Sequence, residues 1–303
     1  MRKTAIALVL LILTSTARGS GVCAAGDDED WYPDSAGPMN TWTAPVMGKG
    51  ELLAQPFFIF THTRGVFNTE GSYNSLPAGE KRSSFQQQLY LEYGITDRFE
   101  VSAQTGTQEN YAEQAGAKAH TNGMTDSYFF LRYSLLEEKT CLPQITGVFQ
   151  LALPTGKFQK ADPNKLGTDI MGYGSYDHGY GLILTKRIKP FIVHADVIYN
   201  FSRETKIDGL KTRYADYINY DIGVEYFLPK GFNLLVELNG FLEGDIKEDG
   251  YKIPSSDYNY LDACFGIGWS NEKIQTLLAY ERTLTGTNAD ANDSAIFTVI
   301  YNF

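Results

Sequence analysis

From about Glu51 onward the chain alternates apolar with polar positions in runs of roughly ten to sixteen residues, and period two marks a β-strand with one apolar face. Leu89, Leu91, Tyr93 and Ile95 alternate with Gln88, Tyr90, Glu92 and Gly94. Thr96-Asp97-Arg98 turns the chain, and Phe99, Val101 and Ala103 then alternate with Glu100, Ser102 and Gln104. The same hairpin unit recurs. Short turns fall at 96–98, 137–143, 187–189, 229–231 and 271–273, with longer Gly/Asp/Asn/Lys-rich connections at about 68–83, 112–122, 157–169, 206–213, 246–255 and 288–292. Twelve strands are predicted, at 51–67, 84–95, 99–111, 123–136, 144–156, 171–186, 190–204, 214–228, 232–244, 257–270, 274–287 and 293–303.

Apolar parity alone fits either a soluble sandwich, with the apolar face inward, or a membrane barrel, with that face toward lipid. Phe191, Val193, Ala195, Val197, Tyr199 and Phe201, for example, oppose His194, Asp196, Asn200 and Ser202. Three features favour the barrel. Aromatics sit beside the short turns, at Tyr93, Phe99, Phe191, Tyr226, Phe232 and Trp269, as an interfacial girdle requires. The strands exceed the usual globular length of about 5–6 residues. The chain stops inside a strand, with Ala295, Phe297, Val299, Tyr301 and Phe303 in register. The expected fold class is therefore all-β, a single up-and-down antiparallel transmembrane β-barrel of about 12 strands, with both termini at the short-turn, periplasmic end.

Composition narrows the picture further. Tyr 20, Phe 18 and Trp 3, with 29 Gly and 20% charged residues, disfavour a helix bundle or a disordered chain. A mean hydropathy of −0.26, with no apolar run of 18 residues, excludes a helical membrane protein. Arg2 and Lys3, the apolar stretch Ala5 to Leu13 and the small residues around Ala24 and Ala25 make residues 1–25 a signal peptide. Cys23 follows Val22 rather than a small residue, which favours ordinary cleavage over lipidation. Residues 26–50 read as a solvated N-terminal periplasmic extension, with entry of 26–47 into the lumen as a plug left open, and 51–303 as the barrel.

Cleavage would remove Arg2, Lys3 and Arg18 and no acid, making the formal charge of −10 still more negative. No nucleic-acid partner is expected. Cys141 and Cys264 are too few for a disulfide framework and lack metal-ligand spacing.

The terminal aromatic strand resembles the C-terminal signature of bacterial outer-membrane barrels. The resemblance implies that Tyr301 and Phe303 serve as an assembly signal for the barrel assembly machinery, with outer-membrane lipid as the surrounding partner. Tyr93-Gly94-Ile95-Thr96-Asp97-Arg98-Phe99-Glu100 and Leu151-Ala152-Leu153-Pro154-Thr155-Gly156 resemble segments of the barrel family labelled "putative MetA-pathway of phenol degradation". That resemblance implies passage of small, hydrophobic or aromatic compounds through the outer membrane of a Gram-negative bacterium. It carries no set of catalytic residues.

Motifs for nucleotide, metal or nucleophile chemistry are absent: Gly156-Lys157 lacks the first glycine of a P-loop, and no G-x-S-x-G, H-E-x-x-H or C-x-x-C occurs. His62, His120, His178 and His194 lie on or near different strands. His194 and Ser202 share a face but stand about 26 Å apart at strand rise, too far for a hydrolytic unit. No enzyme and no cofactor are expected.

Parity turns Glu92, Glu100, Asp126, Asp177, Asp196, Asp221, Glu225, Glu237, Asp262 and Glu281 inward, against Arg132 and His194. The plain reading is a closed barrel whose acids are hydrogen-bonded. The sharper one is an aqueous path that attracts cations. Inward Tyr90, Tyr128, Phe130, Ile183, Ile192, Ile198 and Phe241 are packing residues first and a greasy track second. The function expected is a channel or transporter for small solutes through an acid-lined lumen. The alternatives are a closed structural or adhesive barrel working through its loops and, behind that, a membrane-embedded enzyme.

Overall fold

The computed structural model describes residues 37–303 together with Trp31, Pro33 and Ser35. The expected signal peptide and the Asp27 to Asp30 run lie outside the described residues. Twelve antiparallel strands form the wall: β1 (Leu52–Phe67), β2 (Lys81–Thr96), β3 (Phe99–Gln114), β4 (Ser127–Leu136), β5 (Gln144–Leu153), β6 (Asp177–Ile188), β7 (Phe191–Phe201), β8 (Tyr217–Phe227), β9 (Phe232–Glu243), β10 (Tyr258–Ser270), β11 (Ile274–Thr287) and β12 (Ala289–Asn302). Each pairs with its sequence neighbours, and β1 pairs with β12, with Phe57 opposite Thr298 and Phe60 opposite Ala295, so the sheet closes and leaves no free edge. The barrel is thus an all-β, up-and-down one, as expected.

Alternation sorts the side chains. Phe58 and Phe60 on β1, Leu89 and Leu91 on β2, Phe129 and Leu131 on β4, Leu234 and Val236 on β9, Phe265 and Ile267 on β10 and Phe297 on β12 are all exposed on the outer surface. Such a continuous apolar belt fits lipid rather than water. Of the expected interface aromatics, Tyr93, Phe191, Tyr226 and Phe232 are exposed, and Phe99 and Trp269 are half-buried. Tyr301 and Phe303 are exposed and in edge-to-face contact, 4.7 Å between ring centroids.

Three boundaries differ from the sequence reading. The stretch expected as one strand over 123–136 is broken at Thr125 and Asp126: Ala117–Met124 pairs only with β3, and β4 begins at Ser127. The connection expected over 288–292 is instead a tight turn at Asn288 (φ 53°). Its polar letters hide an alternation in which Ala289 and Ala291 are buried against β1. The strand expected from residue 171 starts at Asp177, so the preceding loop covers 154–176. At the long-loop end, Thr205–Ile207, Leu210–Arg213, Lys247–Glu248 and Tyr251–Lys252 build a separate four-stranded sheet that joins two loops.

Candidate functional site

The residues expected as a solvated extension do not all lie outside the barrel: residues 37–47 run inside it. The described residues begin at the short-turn end, where Trp31 packs edge-on against Phe227, 5.5 Å between centroids. It climbs to mid-height near Asn40 and returns, so that Gly50 N–H donates to Gly94 O at 2.8 Å just before β1. Two glycines make room for this path. A Cβ on Gly223 would stand 3.0 Å from Thr41 Oγ1, and one on Gly94 would stand 1.9 Å from Gly48 O.

The carboxylates of the wall hold the segment largely by its backbone. Glu237 accepts the N–H groups of Met39 (2.6 Å), Asn40 (3.0 Å) and Thr41 (2.8 Å), and also the Thr41 hydroxyl (2.9 Å). Asp196 accepts from Trp42 N at 2.9 Å and Glu100 from Met47 N at 2.8 Å. Glu225 accepts the Ser35 hydroxyl on both oxygens, at 2.8 and 2.7 Å. Glu281 takes the Asn40 side-chain amide. Arg132, buried, donates to the Thr43 and Pro45 carbonyls and to Glu92 (3.1 Å) and Glu100 (2.8 Å). Its guanidinium lies over the Trp42 ring at 5.4 Å. His194 is engaged at both ring nitrogens, by the Thr185 hydroxyl (2.9 Å) and by Glu225 (3.0 Å).

Farther toward the long-loop end, Asp196, Asp221, Asn239 and Asp262 are successive cross-strand partners on β7 to β10. Asp126 and Asp177 belong to the mouth instead. Asp126 sits in the strand break and accepts Gly156 N (2.9 Å) and Tyr173 N (2.8 Å), and Asp177 takes the Ser175 hydroxyl. The loop 154–176 is thereby folded against the inward side of β3, where Asn110 donates to Thr168 O at 2.9 Å. Of the inward hydrophobics, Tyr90, Phe130, Ile183, Ile192, Ile198 and Phe241 are buried and Tyr128 half-buried. Trp42 packs on Tyr90 and Phe130, at 5.9 and 4.7 Å, so part of this set is the seat of the lumenal segment.

Beside the segment a cavity of about 480 Å³ remains. Leu53, Phe57, Ile59, Ile296 and Ile300 form its apolar side, and Gln55, Gln88, Gln104 and Asn302 are among its polar lining. Among the described residues no group of three or more His, Cys, Asp or Glu has the geometry of a metal site.

The family model described as "Putative MetA-pathway of phenol degradation" matches residues 98–290, well over half of the chain. The chain belongs to this family. The match spans the wall from the turn before β3 into β12, so the lumenal segment, β1 and β2 of this family member lie outside it. Among solved structures, an outer membrane channel from Pseudomonas putida F1 is similar with a TM-score of 0.71 at 16% identity, covering 89% of this chain and 100% of that one. The NanC porin aligns at TM-score 0.49 and 10% identity over 82% of this chain and 98% of that one. The CymD monoaromatic hydrocarbon channel aligns at 0.44 and 9% over 85% and 89%. No curated protein sequence matches. At 16% identity the likeness to the Pseudomonas putida channel establishes the fold alone.

Sequence reasoning about this family member left open whether the N-terminal segment enters the lumen, and it missed the apolar inner wall. The wall did leave a signal: Phe57-Phe58-Ile59-Phe60 on β1 and Leu277-Leu278 on β11 are apolar on both faces, which a strand between lipid and water does not need.

Proposed function

We propose that the protein is an outer-membrane channel for small solutes with apolar or aromatic bodies, exported through its signal peptide and assembled with its short turns toward the periplasm. The observation that carries this reading is the cavity of about 480 Å³ between the lumenal segment and the wall. It is as large as typical small-molecule pockets, combines an apolar side with amide donors and acceptors, and lies in a closed barrel wrapped by an apolar belt. A solute passing along it would meet Phe57, Ile59 and Ile296 on one side and exchange water hydrogen bonds for Gln88 and Gln104 on the other. The acids at mid-height support a preference for cations over anions.

The test is the reversal potential of the refolded full chain in a planar bilayer under a salt gradient, together with Asp196→Asn/Asp221→Asn/Asp262→Asn. A conductance with cation preference that falls in the triple variant supports the channel. The bonded lumenal segment favours a second reading, a closed barrel whose surface loops carry the function. A bilayer silent both for the whole chain and for a chain lacking residues 35–47 would favour that one.

A further inference from the structure

The acids at mid-height have more negative charge than the rest of the lumen answers. Asp196, Asp221, Asn239, Asp262 and Thr283 form one transverse row across five consecutive strands, each the ladder partner of the next. The bases that line the lumen are committed elsewhere, Arg132 to Glu92 and Glu100, His194 to Glu225 and Arg187 to Glu138. Among the described residues the row has no paired base. Asp196 and Asp221 stand directly opposite each other, an arrangement that like charges disfavour.

The hydrogen bonds leave a specific gap in this row. Asp196 is only 4% exposed and its Oδ2 takes the Trp42 N–H, yet its Oδ1 is buried with no hydrogen-bond partner. Asp262 Oδ1 is in the same condition. Asp221 accepts the Asn239 amide at 3.1 Å and is approached by the Gly240 N–H, and its carboxyl meets that of Asp196. Buried carboxylate oxygens without donors are costly, and a ligand that supplies positive charge removes the cost. Asp221 and Asp262 are half-buried, which leaves them within reach of the lumen.

Next to the row, one inward position toward the long-loop end, lies an aromatic stack. Phe241 and Tyr260 are cross-strand partners with rings parallel within 3° and 5.4 Å apart, and Tyr217 stacks on Phe241 at 5.1 Å. Carboxylates beside aromatic rings are the chemistry that recognises an ammonium ion with an organic body, through charge pairing and cation–π attraction. A neutral solute would leave the negative charge of the row unanswered even where a hydroxyl donates to one oxygen, an anion would be repelled, and no three-ligand metal geometry is present among the described residues.

We propose that the Asp196–Asp221–Asp262 row and the Phe241–Tyr260 stack form a binding site for an organic ammonium ion carrying an apolar or aromatic group. The inference rests on the channel reading, because the ligand must enter the lumen, and it names the solute class that pauses there.

The test is calorimetric titration of the detergent-solubilised full chain with benzyltrimethylammonium, and with benzyl alcohol as the neutral control. Saturable binding of the cation that weakens as salt rises is expected, with the alcohol at least tenfold weaker. Asp221→Asn/Asp262→Asn should lose at least tenfold in affinity. Phe241→Leu, which leaves the acids in place, should lose severalfold for benzyltrimethylammonium and little for tetramethylammonium. Absence of saturable binding, equal binding of the alcohol, or unchanged binding in folded variants of both kinds overturns the proposal. Conductance without binding removes the site and keeps the channel, whereas binding to a barrel silent in bilayers keeps the site and removes the channel.

Discussion

Thr41 is bound twice by Glu237, through its backbone N–H at 2.8 Å and its hydroxyl at 2.9 Å, and the same carboxylate also takes the N–H groups of Met39 and Asn40. One buried side chain thus satisfies three successive amides at the top of the lumenal segment. Hydrogen bonds to a charged acceptor are worth about 1.5–3 kcal/mol each, and a buried donor left without a partner costs about 1–3 kcal/mol.

Glu237→Ala therefore removes the main hold on the segment while leaving the wall ladders intact. The expected result is a folded barrel in which residues 37–47 become cleavable by protease added to the detergent-solubilised protein. Its conductance in planar bilayers should rise severalfold above that of the unaltered chain. Glu237→Gln keeps one acceptor oxygen and should fall between the two. Equal protease resistance in all three would contradict the assignment of this carboxylate as the hold.

Arg132 and Glu100 are both buried and lie 2.8 Å apart, in a lumen with few other bases. Removing one member of a buried pair strands the other, at about 3–5 kcal/mol. Arg132→Met strands Glu92 and Glu100 and also frees the Thr43 and Pro45 carbonyls, so a clear drop in the urea midpoint is expected. Arg132→Met/Glu100→Gln should be less destabilised than the single variant. A double variant that loses the sum of both single effects would show that the pair is not coupled.

The wall was legible in the sequence because lipid outside and water or polar groups inside force strict alternation, and the turns carry their own letters. Residues 37–47 follow no such rule. Gly37, Pro38 and Pro45 break any period, and recognition is mostly by backbone amides, which leave no trace in side-chain identity. The indirect sign was the excess of inward acids over bases, since amide donors answer part of that charge. Asp126 was placed within a strand for a different reason. Its parity fits a strand, but the ladder stops beside it and its carboxylate caps two loop amides instead.

That cap makes Asp126 the pin of the loop over 154–176. Asp126→Ala should free the Gly156 and Tyr173 amides, at about 1–3 kcal/mol for each donor left unpaired, without disturbing β4 to β6. Faster amide exchange confined to 154–176, with the barrel amides unchanged, is the expected outcome. If this loop narrows the mouth, the variant should also conduct more and discriminate less by solute size. Exchange that accelerates throughout the barrel would mean that Asp126 supports the wall itself.

Within the same loop, Lys157 contacts Asp169, and Asp169 also accepts Asp162 N–H at 3.1 Å. The Lys157 ammonium holds the Asp169 carboxyl below its ordinary value, and Lys252 does the same for Asp245 in the loop between β9 and β10. A carboxyl with a lowered folded-state pKa contributes stability that is fully present above its unfolded value, near pH 4, and is lost as pH falls through the folded value. Amide exchange in both loops, corrected for intrinsic rates, should therefore match at pH 7 and pH 5 and accelerate at pH 3. Lys157→Met should remove that acid sensitivity in 154–176 and leave it unchanged around Asp245. Acid-accelerated exchange that survives in 154–176 of the Lys157→Met variant would assign the effect to another carboxyl.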